Sequence, residues 1–263
     1  MGRKTFSFEL HNLVDPTFSI QTVEHPDGTY VYDYVVRNGP SAKQFIRRWS
    51  FTSQATDLSA AGPGWSATRI PSVASRQNGQ PNASPTGAIV GSQVVFYSGS
   101  GNEVQPGASV EGFRVLSRYS PGFTTAFVGS GSSFDIPSEL PSVVADQIGA
   151  LVTSGFDSQV VLILGPKYPP GWSPKAIAAD FQVGMTRLVR SGKLSPNSRF
   201  VTEALSALGR IVQGGAVTMG DFVKSLPEPS PGLEREIATA MQLKLKNGAL
   251  VHDLRTRLDS PSF

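Results

Sequence analysis

The chain has 263 residues, 39% hydrophobic and 16% charged, enough apolar material to bury a core and too little charge for a disordered chain. Its net charge of +3 is spread over both halves, with no basic stripe beyond Arg47-Arg48, so no nucleic-acid footprint is predicted. The complete lack of cysteine excludes disulfides, thiolate metal sites and cysteine nucleophiles.

The amino terminus, Met1 to Glu9, is basic but has no apolar run behind it, so it does not read as a signal peptide. The expectation is a cytoplasmic chain or an exported one whose leader has been removed. No window approaches about 18 apolar residues, so no membrane span is predicted.

Thr5–Leu10 is the first strand candidate. The clearest local signal follows, Val23-Glu-His-Pro-Asp-Gly-Thr-Tyr30. Proline fixes φ, aspartate caps the turn and glycine accepts positive φ, so the β-rich stretches 18–23 and 29–36 form a hairpin. Further strands are predicted over Lys43–Phe51, Trp65–Ile70, Ala88–Tyr97, Ser109–Ser117 and Phe123–Val128, separated by Gly-, Pro- and Ser-rich turns. Regular short strands without helices between them predict two packed antiparallel sheets. The polar loop Val73–Gly87 is either a tolerated insertion or a covering or docking segment.

Glu139–Thr153 has helical periodicity, and the apolar run from Gln159 to Pro166 reads as a closing strand reached through that helix. Lys167–Gly171 is the exit linker. Beyond it the pattern turns helical. Ser173-Pro174 and Ser195-Pro196 each look like a helix start, and Ser191-Gly192 and Gly214-Gly215 like the matching stops. Thr218–Leu226, Leu233–Lys246 and Ala249–Leu258 are further helices. The expected architecture is a β-sandwich over residues 1–170 with an inserted helix near 139–153, followed by an all-α helical domain over 172–263.

Catalytic signatures are scarce. There is no G-x-S-x-G elbow and no phosphate loop, and the histidines are only His11, His25 and His252. Zinc or copper is therefore not expected, and no cofactor is predicted. Two carboxylates among Asp15, Glu24, Asp27, Asp33, Asp57, Glu103, Glu111 and Asp135 could make a glycosidase if paired. Asp33 is either a sheet-edge acid or a calcium ligand with Asp27 or Asn38.

Aromatics are the most suggestive clue. Strand alternation puts Tyr30, Tyr32 and Tyr34 on one face, where three phenols form either a stacking platform for sugars or part of the core. Trp65 follows Gly62-Pro63-Gly64 and joins them as a ligand-binding candidate. Trp172 is expected to wedge the sandwich against the helices.

The series Tyr32-Asp-Tyr-Val-Val-Arg-Asn38, Gly64-Trp65, Gln105-Pro-Gly-Ala-Ser-Val-Glu-Gly-Phe113 and Ser120-Pro-Gly122 resembles immunoglobulin-like or fibronectin-like β-sandwich modules of bacterial exported and surface proteins. The resemblance spans about residues 18–125. The unit at 173–213 resembles small helical modules appended to surface proteins. The resemblance implies an extracellular binding or structural role and no catalytic residues, and a sandwich edge strand that can add a neighbour's strand predicts a protein partner or self-association. Three functions follow as expectations: a non-catalytic interaction or structural module that self-assembles, a carbohydrate-binding module using exposed aromatics, and a carboxylate hydrolase.

Overall fold

The computed structural model describes residues 13–53, 57–71, 92–130, 141–146, 158–214 and 225–243. Among these residues nine strands form two sheets, all paired antiparallel. The first sheet has the order β1-β2-β7-β4, made from β1 (Pro16–Glu24), β2 (Tyr30–Asn38), β7 (Ser109–Ser117) and β4 (Asp57–Ala60). The second has the order β5-β6-β3-β8-β9, made from β5 (Trp65–Pro71), β6 (Ser92–Ser98), β3 (Ile46–Ser53), β8 (Ser120–Ser130) and β9 (Ser158–Tyr168). Helical segments among the described residues include α1 (142–146), α2 (Pro174–Arg190), α3 (Arg199–Val212) and α4 (233–243).

The predicted hairpin is present. Gly28 takes φ 78° and donates its N–H to the His25 carbonyl, while Asp27 accepts the Thr29 N–H at 2.9 Å. Alternate residues of β2, β3, β6 and β7 then point between the sheets. Trp49 occupies the middle: it stacks on Phe96 at 4.4 Å and meets Phe18 and Phe113 edge-on at 5.2 and 5.3 Å. Such offset and edge contacts suit the ring quadrupoles and add to the burial.

A second apolar cluster joins the helices to the sandwich. Phe181, Met185, Phe200, Leu208, Ile237 and Met241 pack together with Phe123 of β8 and Leu164 and Tyr168 of β9. Gly184 is what lets α2 come this close, because a Cβ there would sit 2.0 Å from the Phe123 ring.

Several boundaries differ from expectation. Ser195-Pro196 makes a turn, closed by Ser198 N–H to the Ser195 carbonyl at 3.2 Å, and Ser198 is the true N-cap of α3, accepting from the Val201 N–H. The proline fixes a turn as readily as a first helical residue. β4 was not foreseen, since four residues offer too little pattern to read. The strand predicted over 5–10, the loop 73–87 and the helix at 249–258 lie outside the described residues, as does most of 218–226.

Candidate functional site

The aromatic ladder faces inward. Tyr30, Tyr32 and Tyr34 are 3%, 0% and 1% exposed, and Trp65 is 8% exposed. The surface platform expected of them is therefore corrected: the buried face of β2 is the one that carries the phenols. Tyr32 donates its hydroxyl hydrogen to the Tyr119 carbonyl, and Trp65 donates its indole N–H to the Asn102 carbonyl at 2.9 Å. Burial pushes the Tyr32 and Tyr34 hydroxyls well above the ordinary phenol range. None of the four can stack on a sugar while the sandwich is folded.

Several of the candidate carboxylates have local partners. Asp15 accepts from the Ser41 hydroxyl, Asp27 from the Thr29 N–H and Glu103 from the Gly101 N–H. The Thr29 backbone bond holds Asp27 below its usual range. Asp33 accepts two hydrogen bonds from the Arg114 guanidinium, at 2.6 and 2.9 Å. That bidentate pair engages both carboxylate oxygens and ties Asp33 of β2 to its neighbour strand β7. Asn38 is fully buried. It donates to the Gln44 and Val104 carbonyls and accepts from the Asp15 N–H, which clamps the end of β2.

The junction of sandwich and helices holds a polar trio. Asp180 of α2 accepts from Lys167 at 2.6 Å and from the Tyr168 hydroxyl. Burial, and then the Asp180 charge, push the Tyr168 hydroxyl far up, so it is a fixed hydrogen-bond donor with no role as a proton acceptor. Trp172 packs on the Tyr168 ring at 5.3 Å but stays 36% exposed, so it buttresses the junction without being enclosed in it.

The strand edges are the remaining feature, and backbone parity tells which groups point away from each sheet. His25 donates to Thr29, so the pairs 23/31, 21/33 and 19/35 are hydrogen-bonded and the N–H groups of Phe18, Ile20 and Thr22 point off the edge of β1. Glu236 of α4 faces the Ile20 N–H there. Burial pushes its carboxyl up to about 7, with the Ile20 N–H opposing. Burial acts on Glu234 in the same upward sense, but its bonds from Ser198 and from the Ser230 N–H, the latter 2.9 Å long, bring it below the usual range.

On the other side, Gly99 donates to the Gly64 carbonyl, so residues 66, 68 and 70 bond inward to β6 and Ala67 points its N–H outward. The outermost strand β5 exposes the side chains of Ser66, Thr68, Arg69 and Ile70, the last 43% exposed. Sequence reasoning placed β5 but not its position at a sheet edge, because strand order depends on long-range pairing.

No helix among the described residues is long and apolar enough to cross a membrane, and no cluster of metal-ligating side chains occurs among them. No protein-family model matches the chain, and no curated protein matches it.

Proposed function

We propose that this chain is an immunoglobulin-like interaction module that assembles with copies of itself by strand addition at β5. The topology supports the kinship. Strands β1, β2, β7 and β4 take the places of A, B, E and D, and β3, β8 and β9 those of C, F and G, in the constant-type order. The hairpin β5–β6 is then an insertion between D and E that widens the C-F-G sheet. The observation that carries the reading is the exposure of β5, the outer strand of that insertion.

The outer strand of a sheet offers a template for a further strand. Two copies of β5 running antiparallel about Thr68 bring Ala67 of one opposite Arg69 of the other, so no like charges meet. Pro71 of one meets Trp65 of the other, whose N–H is already held by the Gly62 carbonyl. An exported setting agrees with the resemblance of residues 18–125 to surface modules.

Sedimentation across a hundredfold range of concentration tests this. The wild type should show a sedimentation coefficient that rises with concentration. Ala67→Pro, which removes one outward N–H at an edge position that tolerates proline, should stay monomeric. Identical behaviour of the two would exclude β5 as the assembling edge.

A further inference from the structure

The four-stranded sheet has a second face, turned away from the aromatic core. The alternation that buries Tyr30, Tyr32 and Tyr34 points Val31 and Asp33 the other way, together with Val23 of β1 and Arg114 and Leu116 of β7. Pairing sets Val23, Val31 and Leu116 side by side across three strands, with Asp33 and Arg114 in the adjoining row. With His25 on the far side, these residues line an open pit of about 360 Å³. Its floor is apolar and well covered by its neighbours: Val31 is only 9% exposed although it faces away from the core.

The charged wall of the pit is oriented. Arg114 directs Nε and Nη2 at the two oxygens of Asp33. This side-on grip fixes the guanidinium plane. The Nη1 hydrogens and the second Nη2 hydrogen have no partner among the described residues. They make an end-on fork of the kind that holds a carboxylate by two parallel bonds. We propose that this pit binds a small aliphatic monocarboxylate, with the carboxylate on the free fork of Arg114 and the chain laid over Leu116 and Val31.

The lining selects that class of ligand. The groups Arg114 leaves open are all donors, and both oxygens of Asp33, the one acid of the lining, are already engaged, so an anion fits and a cation does not. The floor is made of branched aliphatic side chains with no flat ring among them, which suits a chain better than a planar group. Outward neighbours along a strand lie about 6.6 Å apart. A carboxylate on Arg114 therefore places a chain of about five carbons across the apolar row, and the volume lies near the lower end of ligand cavities, about 300 Å³.

The pit belongs to the four-stranded sheet and β5 to the other, so this inference does not rest on assembly through β5, and Ala67→Pro should bind as the wild type does. Titration of the isotopically labelled protein with hexanoate tests it. Resonances of the Val31 and Leu116 methyl groups and of the Arg114 Nε–H should shift together and saturate. Acetate, which lacks the chain, and hexanamide, which lacks the charge, should each bind at least roughly tenfold more weakly. Arg114→Lys keeps the charge but not the fork and should also weaken hexanoate roughly tenfold; the side chain is 51% exposed, so the fold tolerates the change. Val23→Ser, at a position 44% exposed, should weaken hexanoate roughly threefold and leave acetate unchanged. Equal affinity for hexanoate and acetate, full binding by Arg114→Lys, or shifts that fail to saturate at these residues would overturn the proposal.

Discussion

At the residue scale, the tyrosines of β2 show how one alternation serves opposite ends. Tyr32 and Tyr34 are both buried, but only Tyr32 has a partner for its hydroxyl among the described residues; Tyr34 Oη and Trp49 Nε1 have none. An unsatisfied buried hydroxyl costs desolvation and returns nothing. Tyr34→Phe should therefore leave urea stability unchanged or raise it slightly. Tyr32→Ala removes a ring from the packed centre and should cost about 3–5 kcal/mol, the range for large aromatic truncations. Equal losses from both changes would contradict this assignment. Gly184 makes the same kind of point from the helical side. Gly184→Ala forces a methyl into the Phe123 ring, and overpacking of this sort should cost about 1–3 kcal/mol despite the better helix propensity of alanine.

At the scale of elements, α4 gives the molecule a pH response of definite sign. Glu236 has its folded pKa raised to about 7 from an ordinary 4.5. The docked helix therefore binds the proton more tightly than the unfolded chain does. The stability this contributes is fully present below about pH 4.5 and is lost as the pH rises through about 7. Because the side chain is only half-buried, solvent screening reduces the effect to on the order of 1–2 kcal/mol. Glu234 and Asp27 are held low and act in the opposite sense, so their contributions fade only as the solution becomes more acidic than their ordinary values. Denaturation midpoints measured between pH 5 and 8 should fall with rising pH, and Glu236→Gln should flatten the curve. A midpoint that rises over this interval in the wild type would reject the burial of Glu236 as its cause.

The same elements show what could be read from the chain. Pro26-Asp27-Gly28 announced the first hairpin, since the turn chemistry is local and complete within three residues. Ser173-Pro174 likewise announced α2, whose cap accepts the Ala176 N–H at 3.2 Å. Alternation told that Tyr30, Tyr32 and Tyr34 share a face, but not which face lies inward, because that depends on how β2 pairs with β1 and β7. Glu236 gave no sign at all. Its character comes from burial beside Ile20, more than two hundred residues earlier, and no periodicity links positions that far apart.

At the scale of the whole molecule, the change from strands to helices near Pro170 is a boundary in pattern that packing crosses. Phe123 and Tyr168 sit in the same cluster as Phe181, at ring distances of 5.4 and 6.0 Å. Asp180 of α2 is tied to Lys167 and Tyr168 of β9 as well. β8 thus serves both cores, with Ala126 and Val128 turned into the sandwich and Phe123 turned to the helices. Sheet and helices coupled through β8 and β9 should unfold together. Trp49 and Trp65 lie in the sandwich core, so tryptophan fluorescence reports mainly on the sheets, while far-ultraviolet ellipticity reports the helices. In urea the two signals should follow one transition. Phe181→Ala, which empties the shared cluster from the helical side, should lower stability by about 3–5 kcal/mol and shift both curves by the same amount. If only the helical signal moves, the two packs are separate units, and the contacts made by Phe123 and Tyr168 are adhesion between them without cooperativity.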